Sequence, residues 1–108
     1  MPRVEDLAEA PDLAFVAIRA ELAVEAVEAL RIAGCRAVVC NAAGFSETGD
    51  DGADLQSRLI EAAGDMALLG PNSMGLINFA DPLAMMMDHF GVAPCDSGTA
   101  IVSQGGGL

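Results

Sequence analysis

Residues 12–40 read DLAFVAIRAELAVEAVEALRIAGCRAVVC, and the pattern of apolar residues in this segment predicts the fold class. Residues 12–19 form a nearly continuous apolar run, which predicts a strand covered on both faces. Over residues 21–33, apolar side chains recur at helical spacing and glutamates lie on the opposing face, which predicts an amphipathic helix. Gly34 predicts the end of this helix, and residues 36–40 predict a second buried strand.

The same pattern continues downstream. Residues 41–52 form a polar, glycine-rich loop, and Asp54 is predicted to cap a helix over residues 55–63. The apolar run at residues 66–69 predicts a third strand, which the sequence Gly-Pro-Asn at 70–72 ends. Strand, helix, strand, helix and strand at this spacing predict an α/β unit with a parallel sheet and right-handed crossovers.

The remainder of the chain is less regular. Residues 73–87 are predicted to be irregular and contain a methionine cluster, for which adaptable core filler is the first interpretation. After a predicted linker turn at 94–98, residues 99–102 (TAIV) predict another buried strand that runs into the Ser/Gly-rich residues 103–107. A helix should follow that turn and further strands should precede residue 12, so both ends are expected to continue in a longer protein.

Composition restricts the function classes. The chain has 108 residues, with 16 acidic against 5 basic side chains and a formal charge of −11. The negative electrostatic field of a chain with this charge repels nucleic acid and anionic membrane surfaces. No apolar run approaches the roughly 20 residues that span a bilayer. Three cysteines without CxxC spacing and a single histidine indicate neither a disulfide framework nor a metal site. A cytoplasmic globular protein without a secretory signal is expected.

Three loops each follow a predicted strand: Arg19-Ala20, residues 41–47 and residues 70–75. Open α/β folds bind ligands at the carboxyl edge of the sheet, where these loops should meet. Walker A, GxSxG and HExxH motifs are absent, and the single histidine, His89, has no partners at metal-ligand spacing. The loops are therefore the candidate site, although a purely structural role remains open for each turn.

Four successive stretches carry a resemblance: DLAFVAIRAE, RAVVCNAAGFSETG, LLGPNSMGLIN and AIVSQGGGL. Together they resemble the NDP-forming acyl-CoA synthetases, the superfamily that includes the succinyl-CoA synthetase alpha subunit. The resemblance covers nearly the whole chain but only a central slice of the family protein. It implies a partial Rossmann-like parallel sheet with flanking helices, followed by the opening strand of a flavodoxin-like domain. It assigns residues 1–80 to the second half of a CoA-binding domain, 81–98 to a linker and 99–108 to a ligase-like domain.

The resemblance also implies two binding sites. Coenzyme A is expected on the strand-end loops, and phosphate or phosphohistidine on the final turn. Glu47 is a candidate for orienting the phosphorylated histidine, with a solvated loop carboxylate as the alternative. The residues implied for coenzyme A are Ile18, Arg19, Ala20, Asn41, Ala42, Ala43, Gly44, Gly70, Pro71, Asn72 and Ser73, and those implied for phosphate are Ser103, Gln104, Gly105 and Gly106.

Several positions depart from the family pattern. Arg19 stands where proline is common and could be a phosphate contact or a surface charge, while Ser73 replaces a frequent cysteine and Gly105 a usual serine. The family's phosphate-gripping glycine loop lies upstream of residue 1, and its phosphorylated histidine lies downstream of residue 108. His89 does not match that histidine, and the chain contains no nucleotide-grasp domain. The chain alone is therefore not expected to catalyse the reaction, and ADP, ATP and magnesium belong to a complete parent enzyme.

Three functional hypotheses remain from the sequence. The first is a fragment of an enzyme that converts acyl-CoA, ADP and phosphate into acid, CoA and ATP. Its partners would be CoA or acyl-CoA and the remaining parts of the enzyme or a nucleotide-grasp subunit. The second is a non-catalytic module that senses acyl-CoA or docks to a protein, and the third is a degenerate domain that only makes protein contacts. Because outer strands are missing, exposed sheet edges also predict self-association.

Overall fold

A parallel sheet covered by two helices forms the main body of the protein. The structure is a computed structural model that describes residues 3–89, 91 and 93–102. Three parallel strands lie in the order β1-β2-β3, and a helix connects each strand to the next. The α/β class predicted from the sequence is confirmed. The elements are β1 (Leu13–Val16), α1 (Ala20–Ala33), β2 (Ala37–Cys40), α2 (Asp50–Ala63) and β3 (Ala67–Leu69).

The core lies between one face of the sheet and both helices. Both crossovers run in the same direction along the sheet, so α1 and α2 lie on the same face and contact each other. The register aligns Ala14 with Val38 and Val38 with Leu68 on this face. Phe45 and Leu59 are fully buried against them, and each buried side chain of this size contributes about 1.5–3 kcal/mol.

The opposite face of the sheet is also apolar. Val39 is fully buried there, with Phe15 and Leu69 in register beside it on the neighbouring strands. Leu69 remains 43% exposed. Both helices of the main body lie on the other side, so in the described part of the chain this face carries no helix.

The second helix begins earlier than the sequence predicts. Asp54 was expected to cap a helix over residues 55–63, but α2 begins at Asp50, with Gly49 as its N-cap. Asp50 and Asp51 lie in the first turn, where their charges complement the positive end of the helix dipole. Gly52 permits the early start because a Cβ at that position would collide with the carbonyl oxygen of Phe45.

The segment predicted to be irregular contains an antiparallel strand pair. Strands β4 (Gly75–Asn78) and β5 (Leu83–Met86) pair with Gly75 opposite Met86. The turn between them is stabilised by Asn78, whose Oδ1 accepts hydrogen bonds from two backbone N–H groups. The interpretation of the methionines as core filler is wrong for Met74 and Met87, which are both more than half exposed.

The prediction of a strand at residues 99–102 is wrong. These residues have no regular secondary structure, and Ile101 and Val102 are 83% and 100% exposed. A strand needs a neighbour to satisfy its backbone hydrogen bonds, and the described strands β1 to β5 pair only among themselves. The predicted phosphate turn at residues 103–106 lies outside the described residues.

Among the helices of the described ranges, none combines the length and the apolar character that a bilayer span requires.

Candidate functional site

The loops that follow the three parallel strands meet at the carboxyl edge of the sheet. The backbone N–H of Asn41 donates to the carbonyl oxygen of Val16 at 2.9 Å, which joins the ends of β1 and β2. The N–H of Asn72 donates to the carbonyl of Ala42 at 2.9 Å, and that of Ser73 donates to Cys40 at 3.1 Å. These bonds extend the pairing of the sheet into the loops, so the predicted loop residues lie side by side.

A side-chain bond fixes the second loop to the third. Asn41 is half-buried, and its Nδ2 donates to the carbonyl oxygen of Ser73 at 3.0 Å. The hydroxyl of Ser73 in turn accepts a hydrogen bond from the N–H of Gly75 at 3.2 Å. The polar groups of this corner are thus used to hold the loop backbone in place, which pre-organises the edge for a ligand.

The first and second loops approach each other at Gly44. This glycine has a φ of 103°, and a Cβ added there would lie 3.5 Å from the Cβ of Ala20. Ala20 is the first residue of α1 and is buried, whereas Ile18, Arg19 and Ala43 are exposed beside it. The edge therefore presents the start of a helix, one guanidinium group and small side chains that leave room for a ligand.

Gly70 allows the third loop to lie close to β2. Its φ is 117°, and an added Cβ would collide with the carbonyl oxygen of Cys40. Asn72 follows with a φ of 55°, a left-handed conformation that asparagine tolerates better than most residues. Half-buried Pro71 and exposed Asn72 complete the loop. The backbone path itself therefore requires glycine at position 70 and favours asparagine at position 72, independently of any ligand.

Glu47 binds the backbone of its own loop. Its Oε1 accepts a hydrogen bond from the N–H of Gly44 at 2.5 Å. This bond, with further backbone N–H groups of Glu47 and Phe45, lowers the pKa of the carboxyl below its ordinary value. Glu47 therefore holds the loop after β2 in shape, and it occupies an N–H group that would otherwise face solvent.

Cys40 lies beneath the site rather than in it. Its side chain belongs to the core between the sheet and the helices, and burial raises the pKa of its thiol. A thiol in these surroundings stays protonated and is a poor nucleophile. Cys35 is also buried, with its Sγ 3.2 Å from the carbonyl of Ala37.

Sequence reasoning missed a charged pocket beside Gly44. The pocket has a volume of about 300 Å³ and lies between the starts of α1 and α2. Acidic residues in the first turn of a helix are the signal that could have indicated it. Its charged lining residues are Glu21, Asp51, Asp54 and Arg58.

No cluster of three potential metal ligands occurs among residues 3–89, 91 and 93–102. The candidate site of the described chain is therefore an edge of backbone groups, small side chains and Arg19. Such an edge is suited to binding and positioning a ligand.

Comparison with known proteins gives this edge its context. The chain is 36% identical over 107 residues to acetate–CoA ligase (ADP-forming) I of Archaeoglobus fulgidus, covering 97% of the chain. It is homologous to the ADP-forming CoA ligases. A trans-feruloyl-CoA synthase of an unknown prokaryotic organism is 34% identical over 110 residues, again covering 97% of the chain. A search of family models gave no match.

Two solved structures of an acetyl-coenzyme A synthetase share the fold. The apo form of the dinucleotide-forming acetyl-coenzyme A synthetase 1 of Ca. Korarchaeum cryptofilum superposes with a TM-score of 0.63 and 28% identity. This match covers 68% of the present chain and 16% of that protein. The complex of the same synthetase with phosphate and ADP gives a TM-score of 0.64, covering 70% and 17%.

This CoA-ligase homologue spans only a small part of its relatives. It covers 15% of the Archaeoglobus fulgidus ligase and 16% of the trans-feruloyl-CoA synthase. The homology therefore identifies the superfamily and the Rossmann-like fold of the segment.

Proposed function

We propose that this segment supplies part of the coenzyme A site of an ADP-forming acyl-CoA synthetase. The observation that carries the proposal is the junction of the three strand-end loops, held by the bond from Asn41 to Ser73, in a chain homologous to such ligases over 97% of its length. Ligands of open α/β sheets bind at this edge. The proposed contacts remain the residues at 18–20, 41–44 and 70–73.

The residues at this edge fit parts of coenzyme A. Arg19 is exposed and can pair with a phosphate, and Ile18 offers 45% of its surface to an apolar group. Ala43 and Gly44 leave space for close approach of a ligand. The neighbouring pocket is lined by the carboxylates of Glu21, Asp51 and Asp54 against the single guanidinium of Arg58, so its net negative charge would repel phosphates from that side. The phosphates are therefore expected to lie toward Arg19.

The complete parent would convert acyl-CoA, ADP and phosphate into acid, CoA and ATP through a phosphohistidine. In that protein, residues 1–80 would form the second half of the CoA-binding domain, 81–98 a linker and 99–108 the start of the ligase domain. Ser103, Gln104, Gly105 and Gly106 would hold the phosphate, and Glu47 would help to orient the histidine. ADP, magnesium and the nucleotide-grasp part would come from the rest of the enzyme. Free thiols suit the cytoplasmic setting expected for such chemistry.

We also propose that the isolated segment self-associates through the sheet face that carries no helix, where Leu69 is exposed. Phe15, Val39 and Leu69 lie in register on this face, and β1 and β3 are both edge strands. An apolar face and open edges favour pairing with another chain. Sedimentation that shows a clean monomer at high protein concentration would contradict this proposal.

Calorimetric titration with coenzyme A tests the proposed site, with NAD and ADP as ligand controls. Arg19→Ala should weaken CoA binding about tenfold because it removes a charge-assisted contact to phosphate. Arg36→Ala is the matched control, because Arg36 is exposed and pairs with Asp12 at the amino end of the sheet. The proposal is supported if CoA titration releases binding heat, if Arg19→Ala reduces that heat, and if Arg36→Ala leaves it unchanged. Absence of heat with a folded sample would mean that the segment by itself is not a CoA-binding module, which leaves either a half-site that needs the rest of the enzyme or a domain that only makes protein contacts.

A coenzyme A sensor without catalysis would use the same loops. It predicts CoA binding by the segment, together with a full-length protein that forms no phosphohistidine. Incubation of the full-length protein with labelled ATP separates the two hypotheses, since only the synthetase becomes labelled on histidine.

A further inference from the structure

A groove of about 590 Å³ runs between the segment before β1 and the outer flank of α1. Its lining residues are distinct from those of the strand-end loops, so it is a second surface. Two large aliphatic side chains line it: Leu7 is 51% exposed and Ile32 is 73% exposed. Half-buried Val4 and Ala29 extend this apolar lining.

The apolar lining follows from the spacing along α1. Ala29 and Ile32 lie at helical spacing on the side of α1 that faces away from the core stripe containing Val24 and Val27, and Glu25 precedes them on the same side. The short 3-10 turn at Val4–Asp6 packs against the same helix and forms the opposite wall. An exposed isoleucine on a stripe next to a second wall is available for contact with a partner.

Carboxylates surround this apolar lining. Among the residues that line the groove, none is basic, and each of the acidic ones is exposed. A partner that carries positive charge would therefore gain attraction as it buries Leu7 and Ile32. A second copy of this chain has a formal charge of −11 and would bring the same carboxylates into opposition. The acidic residues of the groove are Glu5, Glu9, Glu25 and Glu28.

We propose that this groove docks a basic amphipathic segment of a partner protein. Lysine or arginine side chains of that segment lie toward the glutamates, and one or two aliphatic side chains rest on Leu7 and Ile32. The proposal does not depend on coenzyme A binding at the strand-end loops. It defines a protein interaction surface on the flank of α1.

A synthetic helical peptide with lysines on one face and leucines on the other is the probe. Fluorescence anisotropy should show saturable binding by the full chain, and affinity should fall as ionic strength rises. A matched peptide with glutamate in place of every lysine should not bind. Ile32→Asn should weaken binding about tenfold, because it removes the most exposed apolar contact of the groove. Ile60→Asn is the control, since Ile60 is 57% exposed on α2 and lies outside the groove.

A double variant, Glu25→Gln with Glu28→Gln, tests the charge without altering the apolar lining. It should weaken binding of the lysine peptide and reduce the dependence on salt. The proposal would be overturned if both peptides bound equally well. It would also be overturned if Ile32→Asn and Ile60→Asn lost the same amount of affinity for the lysine peptide. Sedimentation that shows a dimer abolished by Ile32→Asn would also overturn it, because the occupant would then be a second copy.

Discussion

The side-chain amide of Asn41 donates a hydrogen bond to the carbonyl oxygen of Ser73, 3.0 Å away. The two residues are far apart in sequence, and each follows a different strand of the parallel sheet. Asn41→Ala should lower the free energy of unfolding by about 1 kcal/mol, the usual contribution of one such bond. Asn41→Asp should cost more, because a carboxylate facing a carbonyl oxygen has no proton to donate. Denaturant unfolding at pH 7 measures the stability of both variants. If Asn41→Ala were less stable than Asn41→Asp, this order would be contradicted.

Glycine can be needed at a position because of its positive φ or because a Cβ would collide with a neighbouring group, and Gly49 and Gly70 distinguish these two reasons. Both have positive φ, but an added Cβ at Gly49 meets nothing within 4 Å, whereas at Gly70 it collides with the carbonyl of Cys40. Gly49→Ala should therefore cost about 1 kcal/mol of conformational strain, and Gly70→Ala should cost clearly more. Thermal unfolding of the two variants checks the difference. Equal losses would show that the contact with Cys40 is unimportant.

The carboxylate of Glu47 should make the loop after β2 sensitive to acid. Backbone N–H groups hold the pKa of Glu47 below its ordinary value, so the folded state favours the charged form. Its contribution to stability is fully present above the unfolded pKa of about 4.3 and is lost as the pH falls through the lower folded pKa. Glu47→Gln removes that contribution.

The comparison of wild type with Glu47→Gln across pH isolates this group. The wild type should be the more stable above pH ~5, and the difference should shrink as the pH falls further. Denaturant midpoints at each pH provide the measurement. A difference that stays constant down to strongly acidic pH would show that the carboxylate does not bind the Gly44 N–H.

The three thiols should differ in reactivity. Cys95 is exposed, whereas Cys35 and Cys40 are buried, and burial raises the pKa of the Cys40 thiol. A disulfide reagent at pH 8 should therefore modify one thiol quickly in the native protein and all three after denaturation. Mass spectrometry of the first modified species should locate the label on Cys95. Rapid labelling of Cys40 would contradict its place in the core.

Elements with a clear apolar period were predictable from the sequence. The helix predicted over residues 21–33 is observed as Ala20–Ala33, and the strand predicted at 36–40 is observed as Ala37–Cys40. Gly34 ends the helix in a left-handed conformation, as predicted. In each case the structure favoured by the local sequence pattern is also the one favoured by packing against the sheet, so the sequence-based prediction holds in the folded protein.

Elements that depend on distant contacts were not predictable. The early start of α2 depends on the close approach of Gly52 to Phe45, and the β4–β5 pair depends on the turn at Asn78. The convergence of the strand-end loops followed from parallel topology. The bond from Asn41 to Ser73 did not, because a side-chain rotamer and the path of a distant loop decide it.

An amide NMR titration of the chain with coenzyme A tests directly whether the three strand-end loops bind this ligand. Binding at the strand-end loops should shift the amide signals of residues 18–20, 41–44 and 70–73, with little change at Arg36 or in the β4–β5 pair. An unchanged spectrum at high coenzyme A concentration, or shift changes confined to residues outside these three loops, would contradict the proposed site.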